Sequence, residues 1–465
     1  MTQPPSKGYD RQWLAAADQR YLWHPFTQMK EWMKEPPLII AAAEGSYLID
    51  IDGNRYLDGV SSLWVNIHGH RRKEIDEAIK EQIDRVSHTT LLGLSSIPSI
   101  LLAKELVERA PPGLAKVFFS DNGSTAVEIG LKIAFQYWHN LEAGRSARRR
   151  FVAFRNAYHG DTLGAVSVGG IDTFHEIYRP LLIETFKVEY PYCYRCSRGR
   201  RYPACSLACT AELEEVLKNH GHEIAAVVVE PLVQCAAGIL TAPPGFLEAV
   251  ATLCKKHDVL LIADEVAVGF GRTGKMFAVE HEGVCPDILA LAKGITGGYL
   301  PLAATLVTER VFDAFLADYA EMKAFFHGHS YTGNPLACAA ALASLRVFDE
   351  DRTLERLGAK IARLGERLEE FRHLGHVGDV RQKGFIAGIE LVQDKEHKKP
   401  YPTASRIGHR VIMAARRKGL ILRPLGDVIV IMPPLSIAGE ELDRLLDIVY
   451  ASIVEVTESG RGVGS

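Results

Sequence analysis

Apolar residues in the middle of the chain occur in short continuous runs rather than in alternation with polar residues. Such runs are typical of strands that are buried on both faces of a parallel sheet. Segments with helical spacing separate the runs, and this alternation predicts an α/β fold with a mostly parallel sheet covered by helices. The predicted strands are Val117–Ser120, Phe151–Phe154, Ala225–Glu230, Val259–Asp264, Ile288–Lys293 and Ala303–Val307.

The two ends of the chain have a mixed pattern. Residues 45–58 predict a hairpin with its turn at Asp52–Asn54, and helical spacing follows from Ile75 to Val86. After Asp349 the pattern predicts two helices, at Leu354–Leu368 and Glu440–Glu455, and two strands, near Phe385–Val392 and Val428–Met432. We therefore expect residues 71–349 to form a large domain, and residues 1–70 and 350–465 to contribute to a smaller α+β domain.

Composition is typical of a soluble globular enzyme. Of the 465 residues, 47% are hydrophobic and 24% charged, as in ordinary globular enzymes. The net charge of −3 does not indicate binding to nucleic acid or to an anionic membrane. No apolar run is long enough to span a bilayer, and Met1–Gly8 has no hydrophobic signal core. We expect a cytoplasmic protein.

The strongest chemical signal is a lysine and an acid at the ends of two predicted strands. Asp264 ends one apolar run and Lys293 ends the next. Ligands of open α/β sheets bind beyond the carboxyl ends of the strands, so both side chains would face one crevice. A lysine and a carboxylate in that arrangement suit pyridoxal phosphate (PLP), which bonds to the amine and pairs its ring nitrogen with the acid. A purely structural ion pair is an equally open interpretation of the spacing.

Two further segments could bind anions. Gly123 and Ser124 open an apolar-faced helix directly after a strand, where backbone N–H groups and the helix dipole favour phosphate. A routine N-cap by Ser124 or Asn122 is the alternative. Arg423 stands within an apolar run and needs a carboxylate partner, either a substrate or an internal glutamate.

Two motifs suggest other chemistry. The spacing of Cys193, Cys196, Cys205 and Cys209 could bind zinc, although reduced thiols in a surface loop are the alternative. Gly269, Gly271 and Gly274 fit the glycine pattern of a nicotinamide fold. Because four residues separate this match from the strand and no clear helix begins there, the sequence does not favour the nicotinamide interpretation.

Taken together, the chain resembles the class III aminotransferases of PLP fold type I over nearly its whole length. The Lys293 and Asp264 motifs are specific for that class. The opening Trp23–Met29 and the segment Arg423–Gly426 resemble the branch that acts in biotin synthesis. The segments that carry the resemblance are Trp23–Met29, Phe118–Ser124, Tyr158–Thr162, Asp264–Val266, Gly269–Lys275, Lys293–Gly298 and Gly333–Ala340.

The resemblance implies roles for individual residues. Lys293 would bind PLP covalently and move protons, Asp264 would keep the ring nitrogen protonated, and Tyr158 would stack on the ring. Gly123 and Ser124 would bind the phosphate. The family is homodimeric with active sites at the interface, so His329 and Ser330 of the partner subunit would complete the phosphate site. Substrate would contact Phe26, Leu63, Trp64, Tyr158, Lys293, Arg423 and Gly328 of the partner subunit, without any metal. Glu230 falls where the family often places an acid that pairs with an arginine.

The implied reaction is transfer of an amino group to 8-amino-7-oxononanoate. S-adenosylmethionine is the commoner donor in this branch, and we expect it here. Leu63 and Phe26 stand where its users typically carry an aromatic residue and a tyrosine, and Gly328–Ser330 departs from the usual Gly-Pro-Thr. Lysine is therefore an alternative donor. An aminotransferase for ω-amines or β-amino acids, a nicotinamide-dependent oxidoreductase that would use the Gly269–Gly274 match, and a catalytically silent scaffold are further alternatives.

Overall fold

The structure is a computed structural model that describes residues 9–141 and 146–458. The segment Met1–Gly8, in which the sequence shows no hydrophobic signal core, lies outside these described residues. The helices are α1 Arg11–Tyr21, α2 Met29–Trp32, α3 Ser61–Trp64, α4 Lys73–Arg85, α5 Ile97–Arg109, α6 Gly123–Leu141, α7 Leu163–Val168, α8 Asp172–His175, α9 Ala211–His220, α10 Phe246–Lys256, α11 Glu309–Asp313, α12 Pro335–Glu350, α13 Thr353–Phe371, α14 Ile407–Arg417 and α15 Gly439–Thr457.

The strands form three larger sheets and one short hairpin. They are β1 Ile40–Glu44, β2 Tyr47–Asp50, β3 Arg55–Asp58, β4 Leu114–Ser120, β5 Arg150–Phe154, β6 Thr185–Val188, β7 Ile224–Val229, β8 Val233–Gln234, β9 Leu240–Thr241, β10 Leu260–Asp264, β11 Ile288–Leu291, β12 Ala303–Thr308, β13 Val377–Lys383, β14 Ile386–Leu391, β15 Leu420–Ile421, β16 Arg423–Leu425 and β17 Val428–Ile431.

The large sheet has seven strands in the order β4-β12-β11-β10-β7-β5-β6. All neighbours are parallel except at β12, which runs antiparallel to both β11 and β4. Every residue of β7, β10 and β11 is buried. Such strands need helices on both faces, which explains their continuous apolar runs. The six predicted strands are present, and the prediction of a mostly parallel sheet is confirmed.

Two details of the sheet differ from the prediction. The edge strand β6 was missed, because its polar Thr185 and Lys187 give it no apolar run and its outer residues are only partly buried. The strand β11 ends at Leu291, so Lys293 does not belong to the strand. Lys293 instead begins a short 3₁₀ turn that ends at Thr296. The lysine therefore stands on a loop beyond the sheet edge.

The ends of the chain build two four-stranded sheets. The order is β1-β2-β3-β15 in one and β13-β14-β17-β16 in the other. Strand β15 pairs in parallel with β3, with Leu420 opposite Leu57, so the two ends of the chain share one sheet. This confirms a smaller α+β part made from both ends. The domain boundaries at residues 70 and 349 stay a prediction.

The carboxyl ends of five strands meet at one edge of the large sheet. These strands, β4, β5, β7, β10 and β11, run in the same direction, as does the edge strand β6. The residues that follow them therefore face a common crevice, as expected for open α/β sheets. Among the residues the structure describes, no helix combines the length and apolar character needed to cross a bilayer.

Candidate active site

A cavity of about 770 Å³ lies at this carboxyl edge. Its volume is within the range of small-molecule sites. The sheet brings together residues that are far apart in sequence, since each follows a different strand or turn. The predicted site residues that line the cavity are Trp64, Gly123, Ser124, Tyr158, Asp264 and Lys293.

Lys293 places its amine inside the cavity. The residue has a positive φ of 46°, a conformation that is rare for a residue with a side chain. Its Nζ lies 4.9 Å from the centre of the Trp64 ring. Removal of the amine from water lowers the pKa of Lys293, and nearby acidic groups only partly offset this effect. The lowered pKa makes a neutral, nucleophilic amine easier to reach at neutral pH.

Asp264 is the last residue of β10, and its carboxylate is buried. Oδ2 lies 2.7 Å from Nδ1 of His159, and Oδ1 accepts a hydrogen bond of 3.0 Å from the backbone N–H of Val266. Among the described residues no ion pair joins Asp264 to Lys293, so the structural ion-pair interpretation receives no support. Sequence reasoning missed His159, because a histidine in a loop after a strand carries no signal of its partner.

The start of α6 forms a cradle for an anion. A Cβ on Gly123 would lie 2.4 Å from the Val266 side chain, so only glycine fits there. Within the described part of the chain, the backbone N–H groups of Gly123 and Ser124 have no acceptor. Ser124 Oγ contacts Thr162 Oγ1 at 2.9 Å and accepts from the Thr162 N–H at 2.9 Å. The cradle therefore offers free N–H donors and a fixed hydroxyl at a helix N-terminus.

Tyr158 lies on the loop after β5 and lines the cavity. Its hydroxyl donates to Asp161 at 2.8 Å, and its ring lies nearly parallel to His175 with centroids 6.2 Å apart. Burial and the Asp161 contact raise the pKa of Tyr158 well above its ordinary value. The phenol therefore stays neutral, and the bond to Asp161 fixes the orientation of its ring.

Glu230 follows β7, and in the described chain it does not pair with an arginine, so the implied pairing stays a prediction. Its two oxygens accept the backbone N–H groups of Tyr158 at 3.0 Å and Cys235 at 3.1 Å. Burial raises the pKa of Glu230 to about 7, and nearby Asp264 adds to this effect. Glu230 therefore fixes the backbone behind the cavity wall and titrates near neutral pH.

Arg423 and Phe26 lie together outside the inner cavity. The guanidinium carbon is 5.9 Å from the centre of the Phe26 ring. Phe174 joins this pair to the site, because its ring is 5.4 Å from Phe26 and 6.4 Å from Tyr158. Arg423 forms no ion pair with any acid in the described residues. The alternative of an internal glutamate partner therefore receives no support, and the arginine is available to a carboxylate ligand.

The segment α3, Ser61–Trp64, is a distorted turn rather than a regular helix, and it brings Trp64 into the cavity. Ser61, Ser62 and Trp64 have φ values of 52°, 63° and 66°. Each such residue costs roughly 1–3 kcal/mol, and such strain tends to occur at functional sites. Trp64 is buried and its Nε1 has no hydrogen-bond partner in the described structure, whereas Leu63 is 44% exposed.

The segment Gly328–Ser330 does not line the cavity of its own chain. Nε2 of His329 lies 3.5 Å from Oδ1 of Asp121, which does line the cavity. The segment is therefore close to the site's outer edge, and its predicted role across a subunit interface stays a prediction.

The two alternative motifs have structural explanations. Among the described residues, no three histidine, cysteine or acidic side chains are arranged to hold a metal ion, and all eight cysteines are free thiols. The glycine motif forms tight turns without a following helix. A Cβ on Gly271 would lie 2.8 Å from Leu435, so this glycine serves packing rather than a nucleotide.

Comparison with known proteins agrees with this site. The sequence profile of the family "Aminotransferase class-III" matches residues 28–453. The chain belongs to the class-III aminotransferases. It is 58% identical over 461 residues to a protein of Nitratidesulfovibrio vulgaris named adenosylmethionine-8-amino-7-oxononanoate aminotransferase, covering 99% of this chain and 85% of that protein. A protein of Geobacter sulfurreducens with the same name is 58% identical over 450 residues, with 97% and 99% covered.

Solved structures of class-III aminotransferases confirm the predicted fold type I. The enzyme of that name from Methanocaldococcus jannaschii has a TM-score of 0.92 at 46% identity, covering 96% of this chain and 100% of the other. An amine transaminase from an uncultivated Pseudomonas species, solved in its PLP-bound form, has a TM-score of 0.88 at 37% identity, covering 94% and 99%.

Proposed function

We propose that this aminotransferase converts 8-amino-7-oxononanoate to 7,8-diaminononanoate in biotin biosynthesis, with PLP as cofactor and S-adenosylmethionine as amino donor. The observation that carries the proposal is the cavity itself, in which the Lys293 amine and the Asp264 carboxylate face a glycine cradle. The names of the relatives at 58% identity supply the substrate and the donor.

The residues present fit PLP. Gly123 leaves the space that a Cβ would fill, and its N–H and that of Ser124 lack acceptors in the described chain, as a phosphate site requires. In the same cavity, Asp264 is buried and bonded to a single histidine and one backbone N–H, which leaves it able to accept from a protonated ring nitrogen. Tyr158 supplies a neutral aromatic surface in the cavity wall.

The cofactor, when bound, would supply an electron sink and a temporary carrier for the amino group. The protein's residues then have separate tasks. The Lys293 amine, whose pKa is lowered by removal from water, takes the proton from Cα of the amino donor and returns one at the end of the transfer. Asp264 would keep the ring nitrogen protonated, and His159 fixes the orientation of the Asp264 carboxylate. Trp64 covers the amine and excludes water from it.

Arg423 is proposed to bind the carboxylate of the keto-amino acid. It has no acidic partner in the described chain, and its planar guanidinium matches a carboxylate with two hydrogen bonds. Phe26 lies against it, and Leu63 and Trp64 are proposed to cover the apolar chain of the substrate.

We further propose a homodimer in which Gly328, His329 and Ser330 of the partner subunit complete the site. The position of His329 near Asp121, at the rim of the cavity, supports this arrangement. A cytoplasmic location stays a prediction from the sequence.

The deciding experiment follows product formation by mass spectrometry. Purified protein with PLP and 8-amino-7-oxononanoate is incubated with S-adenosylmethionine, with lysine, or with an ω-amine such as 1-phenylethylamine. We expect 7,8-diaminononanoate with S-adenosylmethionine, and none from Lys293→Ala. Product formation with lysine but not with S-adenosylmethionine would identify lysine as the amino donor instead. Amine consumption with pyruvate as the acceptor, but none with 8-amino-7-oxononanoate, would overturn the proposed substrate.

A further inference from the structure

The turn Ser61–Trp64 has an unfavourable backbone conformation that other contacts must stabilise. Ser62 has φ 63° and ψ −72°, and Leu63 has φ −146° and ψ 63°. The first pair of angles is that of a tight three-residue turn that is rare and strained. Such a turn persists only where the surrounding contacts fix it.

The buried carboxylate of Asp58 holds the inside of the turn. Its two oxygens accept the backbone N–H of Ser62 at 2.9 and 2.7 Å, and Oδ1 also accepts that of Val60 at 3.3 Å. Nε2 of His70 lies 3.0 Å from Oδ2 on the other side. Asp58 is fully buried, so each of these contacts replaces water that the carboxylate has lost.

The turn is also fixed from outside. Ser61 Oγ donates to the carbonyl of Met432 at 2.8 Å. Arg272 is buried, and its two terminal nitrogens donate to the carbonyls of Asn66 at 2.8 Å and Pro433 at 2.6 Å. Ser61 thus ties the turn to the C-terminal part of the chain, and Arg272, in the loop after β10, joins the residue just beyond the turn to the same part.

The far end of the turn packs directly on the loop that carries Lys293. A Cβ on Gly298 would lie 3.0 Å from the Asn66 nitrogen and 3.0 Å from the Val65 carbonyl carbon. A displacement of the turn would therefore move Trp64 relative to the amine, which lies 4.9 Å from its ring centre.

We propose that Asp58 is a positioning residue for the reaction, because its carboxylate holds the turn Ser61–Trp64 in the conformation that places Trp64 over the Lys293 amine. This inference rests on the proposed function only for its kinetic test. Asp58 itself does not line the cavity and touches neither reactant.

The first measurement is independent of activity. Hydrogen exchange, followed by mass spectrometry, compares residues 60–66 in the holoenzyme and in its Asp58→Asn variant. We expect exchange there to be at least about tenfold faster in the variant, with no change in residues 288–300, because local opening costs less once the turn is released. Unchanged exchange in residues 60–66 would overturn the proposal.

The chain offers a matched control for this measurement. Asp50 is a buried aspartate of the same sheet, and it accepts the N–H groups of Asp52 at 3.0 Å and Asn54 at 2.8 Å. It does not line the cavity, so Asp50→Asn should leave exchange in residues 60–66 and the kinetics unchanged. If Asp50→Asn alters exchange in residues 60–66 and the kinetics as strongly as Asp58→Asn does, the effect is general damage and the proposal is overturned.

The second measurement is a double-mutant cycle with Trp64. We expect Asp58→Asn to lower kcat/KM at least about tenfold in the natural background and less than about twofold in Trp64→Ala, since the two changes then share one pathway. Equal losses in both backgrounds would overturn the proposal. If Asp58→Asn does not fold, His70→Asn, which removes one outer contact, should show the same pattern more weakly. If the natural enzyme does not act on 8-amino-7-oxononanoate, the proposed function fails, and the exchange result alone decides the role of Asp58.

Discussion

Nδ1 of His159 lies 2.7 Å from Oδ2 of Asp264, and both side chains are buried in the wall of the cavity. An ionised carboxylate can only accept, so His159 donates through Nδ1. The bond fixes the orientation of the carboxylate and stabilises its charge. In this way His159 fixes the group that would meet the cofactor ring nitrogen.

Replacement of His159 should therefore lower the chemical rate. A hydrogen bond to a charged group contributes about 1.5–3 kcal/mol, which corresponds to a loss in kcat of roughly 10- to 150-fold for His159→Leu. His159→Asn keeps an N–H donor and should lose less. Steady-state kcat for both variants checks this, with bound PLP measured after denaturation as the control. Equal kcat in the leucine variant and the natural enzyme would show that the bond has no catalytic role.

The glycine cradle gives a steric prediction. A Cβ at residue 123 would lie 2.4 Å from a methyl of Val266, and valine has little rotamer freedom to move away. Gly123→Ala should weaken PLP binding by about tenfold or more, because the α6 N-terminus must shift and lose charge-assisted hydrogen bonds to phosphate. Equilibrium dialysis of PLP measures the change.

A second substitution separates this clash from general damage. Val266→Ala removes the two methyl groups that the new Cβ would meet, and the double variant should regain most of the PLP affinity. If the double variant binds PLP as weakly as Gly123→Ala, the clash with Val266 is not the cause.

Glu230 predicts a pH dependence of stability. Burial raises its pKa from an ordinary 4.5 to about 7 in the folded protein. Between these pH values the folded state binds a proton that the unfolded chain releases. Stability from this proton, up to about 3 kcal/mol, is fully present below pH 4.5 and is lost as pH rises through about 7. The fall in Tm of the cofactor-free protein between pH 5 and 8 should be shallower in Glu230→Gln.

Asp50 serves as a control because its pKa is shifted in the opposite direction to that of Glu230. Burial alone would raise the pKa of Asp50, but hydrogen bonds from Asn54 and Tyr56 outweigh burial and lower it below 3.8. Its stabilising contribution is therefore present above pH 3.8 and lost as the pH falls further. Asp50→Asn should leave the slope of Tm between pH 5 and 8 unchanged. A slope in Glu230→Gln as steep as that of the natural protein would contradict the assigned titration.

The sequence could predict the elements whose signal is local. Continuous apolar runs predicted six strands of the large sheet, since a strand buried on both faces has few other solutions. The position of Asp264 and Gly123 at strand ends also followed, because carboxyl ends of parallel strands share an edge. Strand β6 was missed because it lies at the edge of the sheet, where polar residues are tolerated and no apolar run marks a strand.

Contacts between distant segments could not be predicted. No pattern connects His159 to Asp264, or Asp58 to a turn strained four residues later, because both depend on backbone geometry that only the folded chain defines. The contacts of Glu230 could not be predicted for the same reason. The spacing showed an acid after a strand, but not that two backbone N–H groups already occupy its oxygens.

Arg423 gives the sharpest test of substrate recognition. The guanidinium lies 5.9 Å from the Phe26 ring and has no acidic partner among the described residues, so a bound carboxylate would be its counter-ion. Arg423→Gln should raise KM for 8-amino-7-oxononanoate by roughly 10- to 100-fold, as expected for loss of a charge-assisted hydrogen bond, with a smaller change in kcat. Arg423→Lys keeps the charge but not the paired geometry, so its KM should lie between those of the natural enzyme and of Arg423→Gln. An acceptor that lacks the carboxylate provides the control, since its KM should respond little to either substitution. If both acceptors lose affinity equally, Arg423 supports the local structure near Phe26 and does not bind the carboxylate.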